Sequence, residues 1–206
     1  MNVSPKLRVA LPVDVDSIVE LHRAAFAGFF LTSLGNSFLR HLYSSFVSDE
    51  HGVCFVAEDN NKIIGFVAGT SNPREFFRLI KRTKLWDFAF SAFPGLLKNP
   101  VLVIKKCFAA LFHKGEPIAG LPKAALLSSL AVNPTVSGRG IGGKLVKAFC
   151  LEMANGGFFS VYLVTDAAEN DSVNRFYEKC GFSLEASFCR SGNRLMNRWV
   201  KTLVKR

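Results

Sequence analysis

SLAVNPTVSGRGIGGKLV, residues 129–146, joins an apolar run to a glycine-rich loop and then to a second apolar pattern. The apolar run predicts a strand over Ala124–Val132, and Leu145 and Val146 belong to the inward face of a helix predicted at about Ile141–Ala154. Glycines at such a junction let a ligand approach the backbone closely, and the amide groups of a helix N-terminus attract anions. The loop therefore predicts a phosphate or pyrophosphate site.

Three nucleotide-binding interpretations of this loop compete with a plain turn that needs only positive φ. A Walker A loop is excluded because the chain contains no Gly-Lys-Ser or Gly-Lys-Thr. The dinucleotide fingerprint fits at Gly138, Gly140 and Gly143, and Asp166 ends the next predicted strand. However, residues 133–137 separate the first strand from the first glycine, and too few residues follow Asp166 for a doubly wound sheet. The third interpretation is the pyrophosphate of coenzyme A.

Apolar periodicity elsewhere predicts alternating helices and strands. The predicted elements are a strand at Leu7–Leu11, a helix with Val15, Ile18, Val19 and Phe26 on one face, a helix at Asn36–Val47, strands at Val53–Glu58 and Lys62–Thr70 joined at residues 59–61, a strand at Val161–Thr165, a helix at Ser172–Cys180, and strands at about Phe182–Cys189 and Leu195–Val204 that turn at residues 191–193.

Residues 72–122 interrupt this pattern, and we interpret them as a helical insertion into a single domain that spans residues 1–206. Pro94 and Pro100 divide the segment into two or three predicted helices. The segment is rich in aromatic side chains and carries more than half of the net charge of +10. Its acidic residues are Glu75, Asp87 and Glu116, and its basic residues are Arg74, Arg78, Lys81, Arg82, Lys84, Lys98, Lys105, Lys106 and Lys114.

The composition limits the function classes. A net charge of +10 favours anionic partners, namely nucleic acid, anionic lipid headgroups or phosphorylated ligands. Nucleic acid is not expected, because the chain shows no helix-turn-helix, RNA-binding aromatic motif or basic tract. Five scattered cysteines without a CxxC pair predict a cytoplasmic protein with neither a disulfide framework nor a metal site. We expect no membrane span and no secretory signal.

The stretch at residues 129–146 resembles the cofactor motif of the GNAT superfamily: a strand ending in Ala-Val-x-Pro, then Arg/Gln-x-x-Gly-x-Gly/Ala, then a helix. NDSVNRFYEKCGF, residues 170–182, is similar to the second signature, Asn-x-x-Ala-x-x-Leu/Phe-Tyr-x-x-x-Gly-Phe. The resemblance covers nearly the whole chain except the insertion. It implies the GNAT fold, of class α/β (α+β), in which helices flank a central mixed, largely antiparallel twisted sheet.

The resemblance also implies acetyl-CoA as co-substrate, no metal, and a role for each matching residue. Tyr177 would protonate the departing thiolate, although a core aromatic is the alternative interpretation. Asn170 would hydrogen-bond the pantetheine arm. The backbone of Leu130, Ala131 and Val132 would pair with that arm and polarise the thioester carbonyl. The residues that would cradle the pyrophosphate are Gly138, Arg139, Gly140, Ile141, Gly142 and Gly143.

The chain departs from the family pattern at four positions. Ser137 stands where Arg or Gln is usual, and Val173 replaces a small Ala. Leu126 and Thr165 occupy positions where relatives often carry a glutamate base. An amine of pKa near 10.4 must lose a proton before it attacks. We consider His22, His41, Asp166, Glu58 or a water chain as the base and choose none of them.

These features predict an N-acetyltransferase that moves an acetyl group to a primary amine by direct transfer in a ternary complex. The acceptor could be a small molecule such as an amino sugar, or a protein N-terminus or lysine. A non-catalytic acyl-CoA-binding relative is the third alternative. The basic, aromatic insertion favours a small anionic or amphipathic acceptor. It is interpreted as a lid, as helices packed on the domain or on a second subunit in a homodimer, or as a contact with the membrane surface.

Overall fold

The computed structural model describes residues 5–83, 120–136, 138–190 and 193–204. Most of the insertion, residues 84–119, lies outside these ranges, as do Ser137, Ser191 and Gly192. The lid, membrane-contact and second-subunit interpretations of the insertion therefore concern residues that are not described. In the described ranges, no helix has the length and apolar character that crossing a membrane requires.

The described elements alternate between strands and helices as the periodicity predicts. The strands are β1 (Lys6–Val9), β2 (Gly52–Asp59), β3 (Lys62–Thr70), β4 (Ala124–Val132), β5 (Ser160–Asp166), β6 (Ser183–Arg190) and β7 (Arg194–Thr202). The helices are α1 (Val15–Ala25), α2 (Phe30–Ser33), α3 (Asn36–Ser48), α4 (Pro73–Thr83), α5 (Ile141–Asn155) and α6 (Asp171–Lys179). The sequence prediction missed the short helix α2. It also placed β1 at Leu7–Leu11, whereas the amide of Leu11 donates to Asp14 Oδ2 (2.7 Å) and the chain turns there.

The seven strands form one open sheet in the order β1-β2-β3-β4-β5-β7-β6. Every neighbouring pair is antiparallel except β4 and β5, which are parallel. The predicted mixed, largely antiparallel sheet flanked by helices is therefore confirmed. Periodicity did not predict that β7 lies between β5 and β6, because pairing order depends on contacts between distant segments.

The turn of the β2–β3 hairpin has a backbone conformation that its two asparagines favour. Asn60 and Asn61 have φ values of 48° and 60°, and Asp59 pairs with Lys62 across the two-residue loop. Positive φ at both central residues matches the right-handed twist of the strands, and asparagine tolerates this backbone conformation better than most residues. The predicted hairpin is confirmed.

The sheet has two covered faces, each with its own apolar cluster. On the first face lie α1, α3 and α4, and the rings of Phe46 and Phe76 stack at 4.7 Å between α3 and α4. The first helix of the insertion thus packs on the domain. On the second face lie α5 and α6, with Leu145, Phe149 and Tyr177 in the core.

A β-bulge at Ser128 changes which face each later residue of β4 points to. Ala68 pairs with Ser129 and Gly69 pairs with Leu127, so Ser128 has no opposite residue on β3. Before the bulge, Leu127 belongs to the second-face core, whereas after it Ala131 belongs to the first-face core. One extra residue inverts the alternation of a strand, so Ser129 also points to the first face.

We predict that Gly69→Ala destabilises the protein. An added Cβ would lie 2.2 Å from the carbonyl oxygen of Leu126 and 2.7 Å from the ring of Phe149, so β3 and β4 could not approach as they do at the bulge. We expect the free energy of unfolding to fall by about 1–3 kcal/mol, measured by urea denaturation. Gly143→Ala is the control, because its Cβ would meet nothing within 4 Å. Equal stability of the parent protein and Gly69→Ala would contradict the described packing.

Candidate functional site

β4 and β5 separate soon after they start to pair. Their parallel pairing covers Ala124↔Ser160, Ala125↔Val161 and Leu126↔Tyr162. Beyond these pairs, β4 continues against β3 and β5 continues against β7. We call the two facing edges, Leu127–Val132 and Leu163–Asp166, the β4–β5 opening. Their backbone N–H and C=O groups form no β4–β5 pairs, so an extended ligand with amide groups can add to them as a strand does.

The bulge explains why the strands separate at this point. The extra residue, Ser128, lies two residues after the last β4–β5 pair at Leu126. A bulge bends its strand and increases the local twist, and it often terminates pairing. Leu130, Ala131 and Val132, the predicted pantetheine-binding residues, therefore lie on the part of β4 that no longer pairs with β5.

The glycine loop follows the opening and has the predicted backbone geometry. Gly138 and Gly140 have φ values of 81° and 73°, and an added Cβ at either would meet nothing within 4 Å. Gly140 precedes α5 as its N-cap residue, with no side chain capping the helix. The first amide groups of α5 are therefore available to an anion, which the helix dipole also attracts.

The other loop residues differ in what they can offer a ligand. An added Cβ at Gly142 would lie 3.2 Å from the ring of Phe176, so this glycine also lets α5 pack closely on α6. The side chain of Ile141 is buried in the second-face core, which leaves its backbone as the part that can bind. Arg139 is exposed, and Gly143 has open space around its Cβ position.

Asn170 lies at the end of β5, on the other side of the opening from β4. Its side-chain Nδ2 donates to the carbonyl oxygen of Asp166 (3.2 Å), and its own carbonyl accepts from the amide of Asn174 (3.0 Å). These bonds fix the turn that leads from β5 into α6. Asn170 thus lies four residues beyond β5 as the N-cap residue of α6, and its contact with the pantetheine arm stays a prediction.

Tyr177 is buried in the second-face core, 7% exposed, and burial raises the pKa of its hydroxyl. Its ring makes edge contacts with Phe176 (centroids 5.1 Å apart) and Phe182 (5.7 Å). Within the described residues the hydroxyl has no hydrogen-bond partner. Tyr177 therefore has the packing role of the core interpretation, and its role as a proton donor stays a prediction.

Two of the side chains considered as bases, Asp166 and Glu58, already have partners, and so does Thr165 at one of the positions where relatives often carry a glutamate. Thr165 Oγ1 donates to Asn174 Oδ1 (2.8 Å) and accepts from Trp199 Nε1 (3.0 Å), so it ties β5 to α6 and β7. Asp166 forms a two-point ion pair with Arg194. Glu58 accepts from Arg8 Nε (2.7 Å). Both carboxylates are therefore occupied by arginine side chains.

Glu58 also lines a cleft of about 570 Å³ beside α1 and the β2–β3 turn. Arg8 in its wall binds both Glu58 and Asp14, with Arg8 Nη1 at 2.6 Å from Asp14 Oδ2, and holds the pKa of the Asp14 carboxyl below its usual value. The wall carries Arg8 and Lys62 against Asp14, Glu20 and Glu58, so its formal charge is negative. A negative wall does not suit an anionic cofactor, whereas the β4–β5 opening offers free backbone groups, so the opening stays the predicted cofactor site.

His22 is buried on the first face and has an unusual environment. Its Nδ1 lies 2.6 Å from Tyr43 Oη, and its Nε2 has no partner among the described residues. Desolvation lowers the pKa of His22 to about 4. Tyr43 is fully buried, and its hydroxyl also interacts with the Ser129 hydroxyl. The sequence prediction missed Tyr43 and Ser129, although Ser128-Ser129 are polar residues within an apolar strand pattern.

No group of three or more His, Cys, Asp or Glu side chains in the described ranges is arranged to hold a metal ion. The arrangement of the site is instead one of backbone groups and a helix N-terminus, which together suit a ligand with amide and phosphate groups.

Comparison with known proteins points to one family. Residues 101–184 match the family model of the acetyltransferase (GNAT) domain, and this range contains both the glycine loop and residues 170–182. No curated protein sequence matches the chain.

Solved structures with the same fold include enzymes that act on different acceptors. Ribosomal-protein-S18-alanine N-acetyltransferase from Escherichia coli has a TM-score of 0.60 and 12% identity, covering 98% of this chain and 96% of that chain. YhbS, a GNAT family N-acetyltransferase from Escherichia coli in complex with CoA, has a TM-score of 0.57 and 17% identity, covering 99% and 84%. Spermidine/spermine N-acetyltransferase SpeG from Vibrio cholerae has a TM-score of 0.56 and 17% identity, covering 96% and 94%. These similarities establish the fold.

We predict that a negative charge at Gly140 weakens acetyl-CoA binding. Gly140→Asp and Gly140→Asn have the same shape, and both residues tolerate positive φ, so the pair isolates the effect of the charge. The carboxylate would face the pyrophosphate at the N-terminus of α5 and repel it. We expect Gly140→Asp to bind about 10-fold more weakly than Gly140→Asn, by titration calorimetry. Equal affinities would contradict this site, and stabilisation of the parent protein by NAD but not by acetyl-CoA would favour the dinucleotide interpretation.

Proposed function

We propose that this chain, a member of the GNAT acetyltransferase superfamily, moves an acetyl group from acetyl-CoA to a primary amine by direct transfer in a ternary complex. The observation that carries this proposal is the β4–β5 opening, whose free backbone edges lead directly to the uncapped N-terminus of α5. The pantetheine arm contains amide groups and ends in a pyrophosphate, so its two kinds of polar group match these two features in order along the chain.

Residues of this chain have a specific role in each step of the proposed transfer. Acetyl-CoA supplies an acyl group with a thiolate leaving group. The backbone of Leu130, Ala131 and Val132 holds the arm, and the N–H groups near Ala131 and Val132 stabilise the oxyanion that forms on attack. Asn170 holds the arm from the β5 side. Tyr177 donates a proton to the departing sulfur; burial keeps its hydroxyl protonated until then.

The charge distribution supports a small anionic or amphipathic acceptor, such as an amino sugar on a phosphorylated carrier. Asp166 is the only carboxylate among the strand residues of the described opening, and Arg194 neutralises it. Arg198 and Arg190 lie near the ring of Phe188 on the neighbouring hairpin. Arg198 is also paired with Glu185 on this hairpin, so the described strand residues around the opening offer a polyamine no unpaired carboxylate.

A second candidate function is acyl-CoA binding without catalysis. The observation that favours it concerns Leu126 and Thr165, which occupy the two positions where relatives often carry a glutamate base. Leu126 is apolar. The Thr165 hydroxyl donates to Asn174 and accepts from Trp199, so both side chains are unsuited to taking a proton. A protein that binds the cofactor without a proton acceptor would show these features too.

Turnover of acetyl-CoA across an amine panel separates the two candidates. The panel contains amino sugars, nucleotide-linked amino sugars, peptides with free N-termini or lysines, and polyamines, and thiol release is measured. We expect thiol release with anionic amino sugars and little with polyamines. Tight acetyl-CoA binding without thiol release for any amine would support the binding-only function.

We predict that Tyr177→Phe lowers the turnover number more than it lowers acetyl-CoA affinity. The phenylalanine ring keeps the contacts with Phe176 and Phe182, and only the hydroxyl is removed. A thiolate is a tolerable leaving group, so we expect a loss of about 10²-fold, the lower end of general acid catalysis. The turnover number is measured with saturating acceptor, and the dissociation constant and melting temperature are the controls. An unchanged turnover number would leave Tyr177 as a core residue.

A further inference from the structure

The position of the bulge determines which side chains an acceptor meets. The glycine loop begins α5, which packs on the second face of the sheet. A cofactor held there occupies the second-face side of the β4–β5 opening, so an acceptor reaches the thioester from the first face. Ser129, directly after the bulge, points to that face and is half-buried.

A chain of polar groups leads inward from Ser129 on the first face. The Ser129 hydroxyl interacts with the hydroxyl of Tyr43 on α3, and Tyr43 Oη lies 2.6 Å from His22 Nδ1 on α1. The chain thus connects a group on the strand of the opening with two groups inside the first-face core. The ring of Tyr43 is held by an edge contact with Phe66 at 5.1 Å, so its hydroxyl has a fixed direction.

Packing requirements do not explain His22. Phe26 lies against its ring at 4.7 Å, and its Nε2 is buried without a partner among the described residues. A buried polar atom without a hydrogen bond costs stability, and an apolar pair in place of His22 and Tyr43 would avoid that cost. His22 and Tyr43 are therefore candidates for a functional pair. Burial lowers the pKa of His22 to about 4, so the imidazole is neutral at pH 7 and one of its two ring nitrogens carries no proton.

We propose that Ser129, Tyr43 and His22 form the path that takes the proton from the attacking amine. The inference rests on the proposed acetyltransferase function and supplies the base that Leu126 and Thr165 do not. In this path Ser129 is the catalytic residue that contacts the amine, and Tyr43 and His22 act through it.

Each proton that leaves one group of the path is accepted by the next group. As the bond from nitrogen to the acyl carbon forms, the amine proton passes to Ser129 Oγ and the serine proton passes to Tyr43 Oη. The tyrosine proton passes to His22 Nδ1, which starts neutral with its proton on Nε2. His22 becomes a cation within an apolar pocket, so it returns the proton to water along the same path once the products leave. The departing thiolate takes its proton from Tyr177, which water reprotonates.

Ser129→Ala and Tyr43→Phe test the path, with Ser129→Thr as the matched control that keeps a hydroxyl. We expect Ser129→Ala and Tyr43→Phe each to lower kcat for the best acceptor of the panel by about 10²-fold. The acetyl-CoA dissociation constant should stay within about 2-fold of the parent value, and Ser129→Thr should keep most of the activity. The Ser129→Ala/Tyr43→Phe double variant should be no slower than the slower single variant, because both changes interrupt one path.

A purely structural role gives a different result. Tyr43→Phe would then lower the melting temperature without changing kcat per folded molecule. Ser129→Ala would likewise keep a kcat near the parent value. That outcome would overturn the proposal. If Tyr43→Phe does not fold, the kcat values of Ser129→Ala and Ser129→Thr are compared instead, because Ser129 lies at the surface of the opening. Absence of thiol release by the parent protein with every amine would instead refute the proposed function itself.

Discussion

The close approach of β3 and β4 at Gly69 determines much of the architecture around the site. With no Cβ at Gly69, the carbonyl of Leu126 and the ring of Phe149 come near the β3 backbone. The strand accommodates this contact with an extra residue at Ser128, which bends β4 and inverts the direction of its later side chains. The separation of β4 from β5, and the placement of Ser129 on the first face, both follow from this bulge.

Electrostatic pairing then decides which polar groups remain available. Arg194 binds Asp166, the carboxylate on the strands of the opening, and Arg8 binds Glu58 and Asp14 near the β2–β3 turn. Among the strand residues of the opening and the loop that follows, the groups left to act on a ligand include backbone amides, the N-terminus of α5 and neutral hydroxyl groups. Such a site stabilises developing negative charge through fixed dipoles, and it offers little attraction to polycations.

The two faces of the sheet have different roles in the proposed reaction. The second face carries the glycine loop, Tyr177 and the α5–α6 packing, in which a Cβ at Gly142 would lie 3.2 Å from the ring of Phe176. The first face carries α1 and α3 with the His22–Tyr43 pair. A ligand in the β4–β5 opening lies between them, so a proton can be donated from one face and accepted on the other.

The sequence by itself determined most of the elements and predicted the cofactor site, because both depend on local patterns. Periodicity predicts the helices and strands within a few residues, Asn60-Asn61 predicts the hairpin, and the glycines near Gly140 predict an anion site at a helix N-terminus. These signals depend on backbone preferences that act over a few neighbouring residues. The resemblance at residues 170–182 added Asn170 and Tyr177.

Only the tertiary structure decided the strand order, the bulge and the polar chain. β7 enters between β5 and β6 through pairing with segments distant in sequence, and no local pattern encodes that choice. The periodicity of β4 is interrupted by one residue at Ser128, which is too short a change to assign to either face from the sequence. His22 and Tyr43 are 21 residues apart and Ser129 lies 86 residues further along the chain, and they meet because α1 and α3 pack on the face of the sheet to which Ser129 points.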